Sequence, residues 1–228
     1  MATGYLEHTL AAAGTNGNKK ATFSAWLKRA KTGVEHVFYT ARQDSNNFFR
    51  FRFNDDDTLN VNSKTSGTDY YATADGKYRD TNAWYHVVIT YDTTQATSSN
   101  RIRIYVNGVE KGKSASNYPS QDATLFMIAS GQPQRVGQES GGGYFDGIMA
   151  HVHYTEGYAY AATDFGETDS TSGIWVPKTS PSVTYGTNGF FLKFDNSGAM
   201  GTDSSGGSNT FTVNNSVTQN IDSPTNNF

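Results

Sequence analysis

The residues of this chain that could do chemistry are carboxylates, histidines and loop aromatics. Cleaving a glycosidic bond takes two carboxyl groups set on either side of it. Six glutamates are available, Glu7, Glu35, Glu110, Glu139, Glu156 and Glu167, and none stands in a Glu-x-Asp-x-x-Glu spacing that would line such groups along one strand. Asp55-Asp56-Asp57 is a triplet in a turn, where aspartate caps backbone groups. No nucleophile elbow, phosphate loop or zincin motif is present, so glycoside hydrolysis is the least favoured function. His151 and His153 lie two apart and share a strand face, where a third ligand would let them hold Zn²⁺. The favoured reading is a pair of histidines on a solvated or half-buried sheet face, and His86 reads as a hydrogen-bonded core histidine. Glycan recognition needs exposed rings beside polar groups. Tyr70, Tyr71, Tyr78, Tyr118, Tyr144, Tyr158 and Tyr160 fall in or near predicted loops. The Gly141-Gly142-Gly143-Tyr144 loop is the most suggestive, because glycine lets a ligand approach backbone amides. Tyr144, Gly142, Gly143, Tyr70 and Tyr71 are therefore the candidate ligand-binding residues.

Composition bounds what must hold these residues in place. The chain has 228 residues, of which 36% are hydrophobic, 14% aromatic and 17% charged. That balance supports a packed core built largely of rings, not a disordered chain. A net charge of −3 without any Lys/Arg run makes nucleic acid a poor partner. With no cysteine, disulfides, thiolate catalysis and Cys-ligated zinc are all excluded. The first residues lack a signal-peptide pattern, and no apolar run approaches the ~18 residues of a membrane span. A soluble protein made in a cytoplasm is the expectation.

Period-two patterns dominate. In Arg101–Val106 the residues Ile102, Ile104 and Val106 face one way and Arg101, Arg103 and Tyr105 the other. Asn107-Gly108 then signals a tight hairpin. Trp84–Asp92 is apolar on both faces, as in a central covered strand. Further strands are predicted at Thr22–Lys28, His36–Arg42, Phe48–Phe53, Thr58–Asn62, Arg135–Gln138, Gly147–Thr155 and Phe190–Asp195. Single helical turns are predicted at Tyr160–Phe165 and Thr124–Ile128. The predicted fold is an all-β, jelly-roll-like antiparallel sandwich over residues 1–165. Residues 166–228 form a C-terminal excursion, anchored by Ile174 and Trp175, that returns as a strand on the sandwich or on a neighbouring chain.

Three segments together resemble a laminin-G-like domain of the concanavalin A-like lectin/glucanase superfamily. They are Phe23-Ser24-Ala25-Trp26-Leu27; Trp84-Tyr85-His86-Val87-Val88 with Tyr105-Val106-Asn107-Gly108; and Val136-Gly137 through Phe145-Asp146-Gly147-Ile148 to Val152. Where that family carries an acidic pair before the last valine, this chain has Ala150-His151. The resemblance implies a sandwich whose rim could bind Ca²⁺ through Asp55, Asp57 and Asp146, with Asp56 and the Asp203 turn as further candidates.

Phe165-Gly166-Glu167-Thr168-Asp169 and Gly173-Ile174-Trp175-Val176-Pro177-Lys178 resemble a connector in structural proteins of marine bacteriophages. That implies a non-enzymatic virion surface protein, a capsid decoration or fibre component, partnered by a capsid or tail protein and sometimes self-associating. A glycan-binding adhesin, with or without Ca²⁺, is the alternative. The ending Asp222–Phe228 resembles a join to a further domain, one reading of which is a terminus cut within a longer protein.

Overall fold

The computed structural model describes residues 3–10, 14, 18–128 and 130–225. Asn226, Asn227 and Phe228 of the predicted domain join lie outside the described residues. The strands are β1 (Tyr5–Thr9), β2 (Lys20–Arg29), β3 (His36–Arg42), β4 (Phe48–Phe53), β5 (Leu59–Thr65), β6 (Thr68–Ala74), β7 (Tyr85–Asp92) and β8 (Ile102–Val106). They continue with β9 (Val109–Glu110), β10 (Lys113–Asn117), β11 (Pro133–Val136), β12 (Gly147–Glu156), β13 (Gly166–Thr168), β14 (Trp175–Pro177), β15 (Phe190–Leu192) and β16 (Thr212–Asn214). Phe126–Ile128 and Ala162–Asp164 are single 3₁₀ turns, inside the two segments predicted to make one helical turn each. No α-helix occurs among the described residues.

Two antiparallel sheets face each other. One has eight strands in the order β10-β6-β5-β4-β3-β11-β1-β16, the other six in the order β15-β12-β2-β7-β8-β9. Alternation decides which side chains go between them. Phe49, Phe51 and Phe53 of β4 point inward, as do Phe23 and Leu27 of β2 and Ile102, Ile104 and Val106 of β8. Rings fill the centre: Phe23 stacks on Tyr39 at 4.7 Å and Phe190 meets Phe211 edge-on at 4.6 Å. Each such ring, fully removed from water, contributes roughly 2–3 kcal/mol. The hairpin after β8 turns through Asn107 and Gly108, both with positive φ (49° and 82°), the geometry that matches strand twist.

The six-stranded sheet is covered on its outer side as well, which explains why β2 and β7 are buried on both faces. Val88, Tyr105, Ala162 and Phe165 form a second core with Tyr160, Trp175 and Val183 packed against it. Trp175 is the anchor of the excursion. Ile174, predicted to share that role, is 46% exposed, because it sits at the tip of the β13–β14 hairpin.

Both C-terminal strands pair inside this chain. Val152 of β12 lies opposite Leu192 of β15, and Leu6 of β1 lies opposite Val213 of β16. Six strands were not predicted: β13 and β14 within the excursion, and β1, β6, β10 and β16 in the large sheet. The last four sit at or near the margins of the large sheet and carry small or polar residues (Lys113-Ser114-Ala115-Ser116-Asn117 is one). Cross-strand pairing, not local pattern, makes them strands.

Candidate functional site

The outer face of the eight-stranded sheet carries an organised polar surface. Since Phe49, Phe51 and Phe53 face the core, Arg50 and Arg52 face outward. The same logic sends out Asn60 and Asn62 between Leu59 and Val61, Thr40 between Tyr39 and Ala41, and Tyr71 and Thr73 beside Ala72 and Ala74. The register then lines them up across strands. One row runs Tyr71, Asn62, Arg50, Thr40, Arg135, Glu7; the next runs Thr73, Asn60, Arg52, Val37.

This face is held rigidly. Arg52 Nε donates to Asn60 Oδ1 at 3.2 Å, and Asn60 Nδ2 donates to the Ala72 carbonyl at 3.1 Å. Arg42 and Arg50 each lie 5.6 Å from the Phe48 ring centroid. Asn60, Asn62 and Thr40 are buried although they point away from the core. Arg50 Nε is buried with no hydrogen-bond partner, an orphan donor on this face.

The glycine loop borders the same surface. Glu139 Oε1 accepts from Arg42 at 2.8 Å and Oε2 from Arg50 at 2.9 Å, while Glu35 pairs with Arg52. Gly143 lies between the two acids: a Cβ there would sit 3.1 Å from Val37 Cγ2, 3.4 Å from Glu35 Oε1 and 3.5 Å from Glu139 Cβ. Gly141, Gly142 and Gly143 all take positive φ, and a Cβ on Gly141 or Gly142 would meet open space. The loop is closed by its own backbone, the Gly142 N–H donating to the Glu139 carbonyl at 3.1 Å, and half-buried Tyr144 follows directly.

Of Tyr70 and Tyr71, only Tyr71 reaches this face. Both lie in β6, not in a loop, and adjacent strand residues point to opposite faces. Tyr71 joins the polar row. Tyr70 instead lines a 280 Å³ cavity at the sandwich edge with Phe49 and Tyr91. Tyr78, predicted near a loop surface, is buried against Phe53 and Tyr85.

The three predicted rim aspartates part company. Asp57 is buried, and its oxygens accept from Arg29 Nη2 (3.0 Å), Arg79 Nε (3.0 Å) and Gly33 N (2.9 Å). Burial opposes its ionisation, yet these donors hold its carboxyl below the ordinary aspartate range. It locks the core edge and has little left to offer a cation. Asp146 pairs with Lys31 at 3.1 Å, and its backbone N–H donates to His36 Nδ1. Asp55 is exposed in its turn. Asp203 accepts the N–H groups of Phe191, Ser205 and Asn209 and so organises its own loop. Among the described residues, no three of His, Cys, Asp and Glu converge at metal-binding distance.

His86 and His153 belong to the opposite face, between the six-stranded sheet and the excursion. His86 Nδ1 accepts from Trp175 Nε1 at 2.9 Å, and its Nε2 lies 2.9 Å from Ser24 Oγ. Burial pushes its pKa down to about 3. His153 stacks on Phe191 at 3.8 Å and meets the Tyr185 hydroxyl at 2.9 Å; burial holds it far below the usual histidine range.

The Arg/Asn/Glu surface was not predicted as a site. Its signal was present in Phe48-Phe49-Arg50-Phe51-Arg52-Phe53 and Leu59-Asn60-Val61-Asn62, where every second residue is polar and planar.

A family model described as the concanavalin A-like lectin/glucanases superfamily, of laminin-G type, matches residues 2–164. The chain belongs to that superfamily. No curated protein sequence matches it. Among solved structures it is similar to a Bacteroides ovatus protein to which carbohydrate binding is ascribed. That pair has 18% identity and a TM-score of 0.62, over 98% of this chain and 59% of the other. It is also similar to the heptameric SAP-like pentraxin of Limulus polyphemus, at 16% identity and TM-score 0.50, over 70% of this chain and 72% of that one. At these identities the likeness is one of fold.

Proposed function

We propose that this chain is a glycan-binding module, not an enzyme, and that it holds its ligand against the outer face of the eight-stranded sheet. The observation that carries the reading is the cross-strand array of Arg50, Arg52, Asn60, Asn62 and Glu139. Planar donors and acceptors, fixed by one another before any ligand arrives, suit the hydroxyl pairs of a sugar and cost little ordering on binding. Phe48 and Tyr71 supply rings beside them, and the Gly141–Gly143 loop borders them. Membership of a lectin/glucanase superfamily and the likeness to a protein with ascribed carbohydrate binding support it.

Binding is favoured over hydrolysis by the state of the two acids. Both oxygens of Glu139 are taken by arginines and Glu35 is held by Arg52, so neither is aimed at a scissile bond. A glycan array tests the reading, run with Ca²⁺ and with a chelator. Micromolar to millimolar binding that survives chelation, with no release of reducing ends, is the expected result. New reducing ends would overturn the non-enzymatic reading.

The narrower proposal places the module on a virion surface, as a decoration or fibre component bound to a capsid or tail protein. It rests on the Phe165–Asp169 and Gly173–Lys178 resemblance. In the fold these segments form the β13–β14 hairpin that seats Trp175. Mass spectrometry of purified particles tests it: copies in the ratio of capsid symmetry support decoration. Absence from the particle leaves a free adhesin.

A further inference from the structure

A second cleft lies away from the polar face, where the C-terminal tail crosses the end of β12. Its volume is about 300 Å³, at the small end of ligand pockets. Leu6, Phe145, Met149, Phe194, Met200 and Val217 put apolar surface on one side of it, opposite the polar tail residues Thr218, Gln219 and Asn220. The tail is fixed as one wall by four hydrogen bonds from three of its residues. Asp222 accepts from Lys28 Nζ at 2.7 Å and Trp84 Nε1 at 3.1 Å, Gln219 Nε2 donates to the Phe194 carbonyl at 2.9 Å, and Asn215 Nδ2 donates to the Thr3 carbonyl at 2.8 Å.

Two bulky residues on this cleft are held in the left-handed region, His151 at φ 48° and Phe194 at φ 61°. Such backbone is costly for residues with a Cβ, by about 1–3 kcal/mol each, and persists only where surroundings enforce it. A register shift between Ala150 and His153 places His151 there. His151 Nδ1 is buried with no partner. Beside it, Lys193 makes no ion pair among the described residues; its ammonium only rests 5.5 Å over the Phe191 ring. Burial and that neighbouring charge lower the pKa of His151, so its ring is neutral at neutral pH. The acid in the cleft, Asp222, is already committed to Lys28 and Trp84.

We infer that this cleft binds a small monocarboxylate with an apolar body, its carboxylate at Lys193 and His151 and its body against Phe145, Met149 and Met200. An unpaired cation, a ring nitrogen lacking a partner and apolar surface on one side together fit that chemistry and disfavour a neutral polyol. At about 30 Å³ per small polar unit, the space suits about ten non-hydrogen atoms.

Calorimetry with phenylacetate and its neutral isostere phenylacetamide tests this on the full chain. Phenylacetate is expected to bind in the submillimolar to millimolar range, with the amide at least about tenfold weaker. Lys193→Met should erase that preference while leaving amide binding and glycan-array signals unchanged. Lys193 is exposed, so the variant is expected to fold, and its thermal unfolding serves as the check. Equal affinity for acid and amide, a preference that survives Lys193→Met, or no phenylacetate binding at about 10 mM would each overturn the inference.

Discussion

The tautomer of His86 follows from its partners. Indole N–H only donates, so Nδ1 must be the acceptor for Trp175, which leaves the proton on Nε2 to donate to Ser24 Oγ. Nitrogen-15 spectra should therefore show a pyridine-like Nδ1 and a pyrrole-like Nε2; the reverse pattern would contradict the seating of Trp175. A second proton on Nδ1 would point at the indole N–H, so acid must break this contact. His86 and His153 are both buried and neutral, with folded pKa values below the model-peptide 6.5. The unfolded chain takes up protons below pH 6.5 and the folded chain does not. Their contribution is thus fully present above pH 6.5 and is lost as pH falls beneath it, at about 1 kcal/mol per unit for each ring. Urea unfolding between pH 7 and pH 5 checks this. Unchanged stability over that range would mean the rings are not buried as described. Trp175→Phe, which leaves Nδ1 unpartnered, should cost about 1–3 kcal/mol in the same assay at pH 7.

The β13–β14 hairpin shows what its motif is for. Asp169 Oδ1 accepts from the N–H groups of Thr171 and Ser172 and closes the turn, and Gly173 takes φ 71° within it. Gly166 leaves room for the indole: a Cβ there would lie 2.6 Å from Trp175 Cζ2. Gly108, on the β8–β9 turn, closes on the same ring, with a Cβ 2.8 Å from Trp175 Cζ3. Gly166→Ala should destabilise by about 1–3 kcal/mol through overpacking, and most of that cost should vanish in a Trp175→Ala background. Undiminished cost in the double variant would place the strain elsewhere. At this scale the sequence was only partly legible. It pointed to Trp175 as an anchor, yet nothing in Trp84-Tyr85-His86 says that His86 is the receptor, since the two meet only after the excursion folds back over 89 residues of chain separation.

Over the whole molecule, legibility follows how locally each feature is encoded. Phe48–Phe53 and Arg101–Val106 announce their strands and their inner faces, because alternation is written in adjacent residues. The sandwich class and the superfamily followed from such segments. The polar site was harder to see because its members come from β3, β4, β5 and β6 and the loop at Glu139, and only register brings Arg50 beside Asn62 and Glu139 above both arginines. The loop placement of Tyr70 and Tyr71 misled for a related reason, though Tyr71 does face the polar row: β6 has little alternation of its own and is a strand because β5 and β10 flank it. The central claim, that this register-built face binds a glycan, is tested most directly by one array comparison. Wild type and the Arg50→Ala/Asn62→Ala double variant should be run side by side, after confirming equal folding by circular dichroism. Saccharide signals in the wild type that fall at least about tenfold in the variant are the predicted result. Signals that persist undiminished in the variant, or a wild type that binds nothing on the array, would contradict it.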